Sequence, residues 1–256
     1  MAIDRKFWAQ HITEHHAPPY NCPTCNRGTL KLVADSIRAG GTALARRERA
    51  EEYWDPSQDV ARFVALLECN NGTCQETVVV VGKRFTEAAY DGEGGQTWVL
   101  EYHPYYFDPP LRFFRPPFKC PSSIVDELVA SFRLVKVDPS AAAARLRTAV
   151  ERFLDTQNIK ARVRRSGRIV RLSLHERVEL FKKVRPELAE ALMAVKWLGN
   201  AGTHTSSLTK DDILDGYDMV EHVLDEVITE RSVRVRDLAR QINKRKGPRS
   251  GTNKKK

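Results

Sequence analysis

Apolar residues follow two different rhythms along this chain. Through the first hundred positions they form short β-type runs, at Thr29 to Val33, Arg62 to Leu67, Thr77 to Gly82 and Thr97 to Tyr102. From Pro121 onward they recur every three or four residues, the spacing of one helical face. The first rhythm predicts strands, and the runs at 62–67 and 77–82 flank a Gly-containing turn as a hairpin would. A short opening helix is expected over Arg5 to His15, with Phe7, Trp8 and Ile12 on one side.

The second rhythm predicts about five helices. Ser122 and Ser123 are placed to cap the first, whose inward face is Ile124, Leu128 and Phe132. Pro139 begins the second, with Leu146, Val150, Phe153 and Leu154 inward and Arg147/Glu151 as an i,i+4 pair. Ser173 and Glu176 form a capping-box pattern for the third, with Val178, Phe181 and Val184 inward. Pro186 opens the fourth, and Asp211 and Asp212 favour the start of a long fifth. Between the two regimes, His103 to Lys119 sets aromatics between prolines. Proline argues against helix or central strand, so this stretch reads as an extended linker whose rings clamp the halves together. The expected architecture is α+β: a β-rich unit over 1–102, a linker over 103–120, a helical bundle over 121–230, and a basic extension over 231–256. The last part, Gly247 to Lys256, is expected to be disordered.

Charge sharpens that division. The 256 residues carry a formal +9. From Arg231 to the end there are eleven Lys/Arg and one acid, a local +10, while the remainder holds 31 basic and 32 acidic residues. The body is near neutral and the basicity is an appendage. It is either a solvated tail or an electrostatic anchor for nucleic acid. Lys160 to Arg171 adds six basic residues without an acid, read as an exposed loop that suits phosphate contacts. The candidate nucleic-acid-binding residues are Arg162, Arg164, Arg165, Arg168, Lys244, Arg245 and Lys246. No apolar run approaches the roughly 20 residues of a membrane span, and the first residues lack a signal-peptide core, so no membrane partner and a cytoplasmic location are expected.

Five cysteines in a reducing compartment argue against a disulfide framework. Four of them form two pairs on turns, Cys22-Pro-Thr-Cys25 and Cys69-Asn-Asn-Gly-Thr-Cys74. Two thiolates two residues apart can grip one metal from a tight turn, and two such knuckles beside apolar strands are the pattern of a zinc ribbon. Cys22, Cys25, Cys69 and Cys74 are therefore candidate ligands of a structural Zn²⁺. The alternative is four ordinary thiols. The 43-residue insert between the knuckles is longer than a minimal ribbon needs. Cys120 is a leftover small residue. His11 and His15 have the spacing of a helical ligand pair, but no third ligand is near in sequence, and they read as a polar face.

The remaining concentration of chemistry is Lys196-Trp-Leu-Gly-Asn-Ala-Gly-Thr-His204. Glycine and asparagine there suggest that the helix stops or bends. Asn200 and His204, four apart, share a face if it does not. An amide, an imidazole and the Lys196 ammonium could hold a phosphate and move a proton. The plain alternative is a helix end with a packed histidine.

The order of cysteine-pair ribbon, aromatic linker, and a bundle ending in Leu-Gly-Asn-Ala-Gly-Thr-His before an Asp-Asp helix resembles the family catalogued as domain of unknown function 4145. That family is grouped with the HEPN (higher eukaryotes and prokaryotes nucleotide-binding) helical superfamily. The resemblance spans about Pro121 to Ile228 and implies a HEPN-like bundle, homodimeric pairing and a prokaryotic defence or toxin-type setting with a partner protein. Active members of the superfamily use an Arg-polar-x-x-x-His motif to cleave RNA without metal. Here Asn200 fills the polar slot and His204 the histidine, but Gly199 stands where the arginine belongs, and Lys196 lies one turn upstream. Three functions are consistent with this: a nucleic-acid or nucleotide-binding protein, with RNA favoured over DNA; a metal-independent endoribonuclease with His204 as acid/base, Asn200 as orienter and Lys196 as phosphate ligand; or a non-catalytic adaptor.

Overall fold

Residues 3–90, 95–204 and 208–247 are described in the computed structural model, without the side chains of 202–204 and 231–232. The first half contains α1 (Arg5–Ala9), β1 (Leu30–Leu32), β2 (Arg38–Gly41), α2 (Ala43–Glu48), β3 (Ala61–Cys69), β4 (Thr77–Tyr90) and β5 (Gln96–Asp108). Strand β3 alternates strictly, burying Ala61, Phe63, Ala65, Leu67 and Cys69 and exposing the residues between them. This is the pattern of a sheet with one packed and one wet face. It pairs antiparallel with β1 and β2 along one side and with β4 along the other, and β5 completes the sheet beyond β4. The expected hairpin between residues 62–67 and 77–82 is present, with Glu68 opposite Thr77.

Two expectations about the first half are corrected. The opening helix stops at Ala9, and Ile12 instead exchanges both backbone hydrogen bonds with Tyr102, at 2.9 Å each. The linker begins later than predicted, because β5 continues through Pro104 to Asp108. Proline is tolerated there because the register slips by one residue between Val81 and Gly82, and Pro104 sits opposite that irregularity on the outermost strand.

The second half holds α3 (Ser122–Leu134), α4 (Pro139–Thr156), a two-stranded hairpin of β6 (Arg162–Arg165) and β7 (Arg168–Arg171), α5 (Leu174–Lys182), α6 (Pro186–His204), α7 (Lys210–Ile228) and α8 (Arg231–Arg245). No described helix is long and apolar enough to cross a membrane. Local chemistry explains several boundaries. Ser173 and Glu176 form the predicted capping box on α5, and Thr209 and Asp212 form another on α7. The predicted serine cap of α3 does not form; Pro121 holds that position without a side-chain cap. The inward faces are as expected, except that Val184 lies beyond the end of α5 and is exposed. The basic stretch expected as a loop is the β6–β7 hairpin. Ser166 and Gly167 turn it with positive φ values of 47° and 79°.

The halves share one buried core. Phe113 and Phe114 follow β5 and pack on Phe132 of α3 and Tyr217 of α7, with centroids 4.9–6.1 Å apart across the cluster. Trp8 reaches the same cluster, 4.1 Å from Phe113. The predicted aromatic clamp is therefore present, although Phe118 lies outside it, exposed. Tyr217 donates or accepts a 2.8 Å hydrogen bond with Ser131, so its buried hydroxyl is satisfied. Truncating Phe132 to Ala removes the ring at the centre of this junction. It is expected to cost about 3–5 kcal/mol. Denaturant unfolding followed by tryptophan fluorescence and far-UV dichroism should show one coincident, lowered transition; two separated transitions would refute a shared core.

Candidate functional site

Two arrangements carry chemistry. The first gathers four cysteines. Cys22 and Cys25 lie on the tight turn before β1, where the Cys22 N–H donates to Gly28 O and the Asn26 N–H donates to Cys22 O, with Asn26 in the left-handed region. Cys69 ends β3 and Cys74 sits in the turn to β4. The β1–β3 register, with Leu30 opposite Cys69, brings the first turn against the second. The four sulfurs all lie within 4.8 Å of one another, Cys22 Sγ 3.8 Å from Cys74 Sγ and Cys25 Sγ 3.7 Å from Cys69 Sγ.

Metal–sulfur bonds near 2.3 Å in a tetrahedron place sulfurs about 3.8 Å apart, so the donor set fits one tetrahedral ion. The backbone supports it: the Gly28 N–H donates to Cys25 Sγ, and the Asn71 N–H to Cys69 Sγ. Backbone N–H groups of Arg27 and Gly28 pull the Cys25 thiol down to about 6, while burial pushes Cys69 up to about 12. Gly28 is required by proximity, since a Cβ there would stand 2.5 Å from Cys69 Sγ. Cys120 is apart from this cluster and its thiol is raised to about 11 by burial.

The second arrangement centres on α6. The helix does not stop at Gly199-Asn200 but runs to His204, whose side chain lies outside the described residues. Glycine is present for a different reason: a Cβ on Gly199 would meet Arg147 Cβ at 2.9 Å. Helix α4 thus approaches α6 closely, and Arg147 sends Nη1 to Asn200 Oδ1 at 2.6 Å. Arg147 also faces Glu151 at 3.7 Å, and Glu151 reaches Arg171 of the hairpin at 3.3 Å. Lys196 is buried against the Trp197 ring, its Nζ 3.0 Å from the centroid. Burial, with Arg147 nearby, lowers its affinity for a proton. Lys196, Arg147 and Asn200 therefore form one cationic, amide-bearing patch. Sequence spacing presents Arg147 as an i,i+4 partner of Glu151 and not as a partner of Asn200; the small residue at 199, opposite it, was the available signal.

A separate cleft of about 770 Å³ lies between α4 and the hairpin, lined in part by Glu151, Arg152, Arg162 and Arg171. Buried Arg177 holds its floor, donating to Asp155 at 2.7 Å and to the Ile159 carbonyl at 3.0 Å. Of the predicted hairpin contacts, Arg165 pairs with Glu176 at 2.8 Å and Arg164 Nε donates to Gly167 O. Arg162 and Arg168 are exposed and make no ion pair among the described residues. Lys244, Arg245 and Lys246 stand elsewhere, at the end of α8, where every residue from Val233 to Lys246 is exposed.

The hairpin's anchor makes a pH prediction. The Ser173 backbone N–H, then the Arg165 guanidinium and the Ser173 hydroxyl, hold the Glu176 carboxyl at about 2. A carboxyl depressed in the folded state stabilises above its unfolded value near 4.5, and that contribution is lost as pH falls toward about 2. Glu176→Gln should flatten this part of the acid-denaturation profile; an unchanged slope between about pH 4.5 and 2 would refute the anchor.

No curated protein and no solved structure matches the chain significantly. Two family models match it in succession. Residues 10–118, which contain all four clustered cysteines and β5, match the family described as Domain of unknown function (DUF8608). Residues 129–245, from α3 to the last residue of α8, match the family described as Domain of unknown function (DUF4145).

Proposed function

We propose that the protein binds nucleic acid, RNA in preference to DNA, on a HEPN-like helical half stabilised beside a zinc-holding β unit. The observation that carries this reading is the exposed, incompletely neutralised arginine surface of the β6–β7 hairpin, backed by the basic helix α8, exposed from Val233 onward. Clustered Arg side chains neutralise phosphates without reading sequence, and their contribution is measured by salt dependence. A second reading is favoured by Arg147. It supplies an arginine to Asn200 from α4 although Gly199 occupies the motif's own arginine slot, and Asn200 is four residues before His204. In that reading the pair steadies a phosphate for His204, and the protein is a metal-independent endoribonuclease acting as a homodimer in a defence-type system with a partner protein.

One set of assays tests both. Single-stranded RNA binding should weaken between about 50 and 200 mM salt, and Arg162→Ala/Arg168→Ala should lower the slope of log affinity against log salt by about 1.4. An unchanged slope would remove the hairpin from the interface. If the second reading holds, RNA cleavage in brief EDTA should fall about 10²-fold or more in both Arg147→Ala and His204→Ala. Absence of cleavage by the wild type would overturn it and leave binding alone.

The four-thiolate centre is proposed to hold Zn²⁺ as a closed, structural site. Gly28→Ala, which drives a Cβ into the Cys69 sulfur, should deplete tightly bound zinc and lower the melting temperature. Wild-type protein purified without zinc, and indifferent to chelation, would refute it.

A further inference from the structure

A second cluster of ligand-type side chains lies on the outer edge of the sheet, away from the cysteines. Glu101 and His103 are two apart on β5, so they project from the same face of the strand. The Ile12–Tyr102 backbone pairing lays the segment after α1 along that strand and delivers His11 beside them. His11 Nε2 stands 3.3 Å from one Glu101 oxygen and His103 Nε2 stands 3.0 Å from the other. The imidazoles are stacked, 5.3 Å between centroids and 8° from parallel, and Phe85 packs edge-on to His103 at 5.0 Å. All three ligand atoms lie within 4.8 Å of one another. Two imidazole nitrogens and a carboxylate oxygen, partly exposed and converging on one point, come from segments ninety residues apart in sequence.

The geometry points to a divalent first-row transition-ion site formed by His11, Glu101 and His103. Imidazole with carboxylate suits Zn²⁺, Co²⁺ or Ni²⁺, and three protein ligands leave at least one position to water. Ligand atoms around an ion at about 2.1 Å lie about 3.0–3.4 Å apart, a spacing that the imidazole–carboxylate separations of 3.3 and 3.0 Å already approach. Such a site differs in kind from the four-thiolate centre. It is open, on the surface and made of nitrogen and oxygen, so its ion exchanges with solution. Its effect on the fold is to fasten the segment after α1 to the edge of β5. That segment is also tied to α7, where the Ile3 N–H and the Arg5 guanidinium both donate to Asp218.

The test uses the full chain as purified, with whatever metal its cysteines retain. Zn²⁺ is titrated calorimetrically, and Co²⁺ is followed by absorption. The wild type should take up one more equivalent than either His11→Gln or His103→Asn, and Glu101→Gln should weaken that equivalent at least about tenfold. The extra Co²⁺ should show ligand-field bands without thiolate charge-transfer absorption. Melting temperature should rise with added Zn²⁺ in the wild type and not in the histidine variants, as binding to the folded state alone requires. Because Ile12 pairs through its backbone, these substitutions should leave the dichroism spectrum unchanged, and two separate histidine variants guard against misfolding of one. Equal uptake by wild type and both histidine variants would overturn the site and leave Glu101 as a bridge between two imidazoles, as would extra Co²⁺ bound only through sulfur.

Discussion

The junction between strands and helices is centred on a few rings. Phe113 and Phe114 leave the end of β5 and enter the space between α3 and α7, where Phe132 and Tyr217 meet them. Aromatic faces bury large areas and orient one another edge to face, so a short segment can fix the angle between two units. Tyr217 is held far from ionisation by its burial, and Ser131 answers its hydroxyl. Without that partner the junction would contain an unsatisfied polar group at its driest point. The cysteine cluster belongs to the sheet and the α4–α6 patch to the helices.

Local patterns were legible in advance. The β-type run of β3, the capping box of α5, the acidic first turn of α7 and the paired cysteines each depend on residues a few positions apart. The misreadings share one cause, which is partners distant in sequence. Pro104 continues a strand because its own strand bulges at Tyr105, which the pairing with β4 skips. Gly199 looked like a helix terminator, but its space is taken by Arg147 from a helix fifty residues earlier. His11 was set aside for want of a third ligand, because nothing near it in sequence foretells that Ile12 will pair with Tyr102. The four sulfurs were legible as a set, but their tetrahedral spacing follows from the β1–β3 register.

The charges are arranged in the same way. Acids on α4 and α5 hold several arginines in fixed places: Glu151 takes Arg171, Glu176 takes Arg165 and Asp155 takes Arg177. Arg177 is the buried member, and its bond to the Ile159 carbonyl fixes the chain just before the hairpin begins. Neutralised arginines thus act as the frame, and Arg162, Arg164 and Arg168 are hairpin charges left without an ion pair among the described residues. Exposed pairs of this kind contribute little stability each. Their value is in fixing where the hairpin points.

The segment from Ile3 to Ile12 touches both ends of the molecule's history. Its backbone closes the outer edge of β5, and its first residues are held by aspartates of α7. On a ribosome those partners emerge roughly 90 and 210 residues later than the segment itself. Ile12 is already present when β5 emerges and can cover its edge at once, whereas the attachment to α7 must wait for the helices. Only when α7 has been made does this segment acquire its second attachment, so its two anchors are gained in separate stages of synthesis.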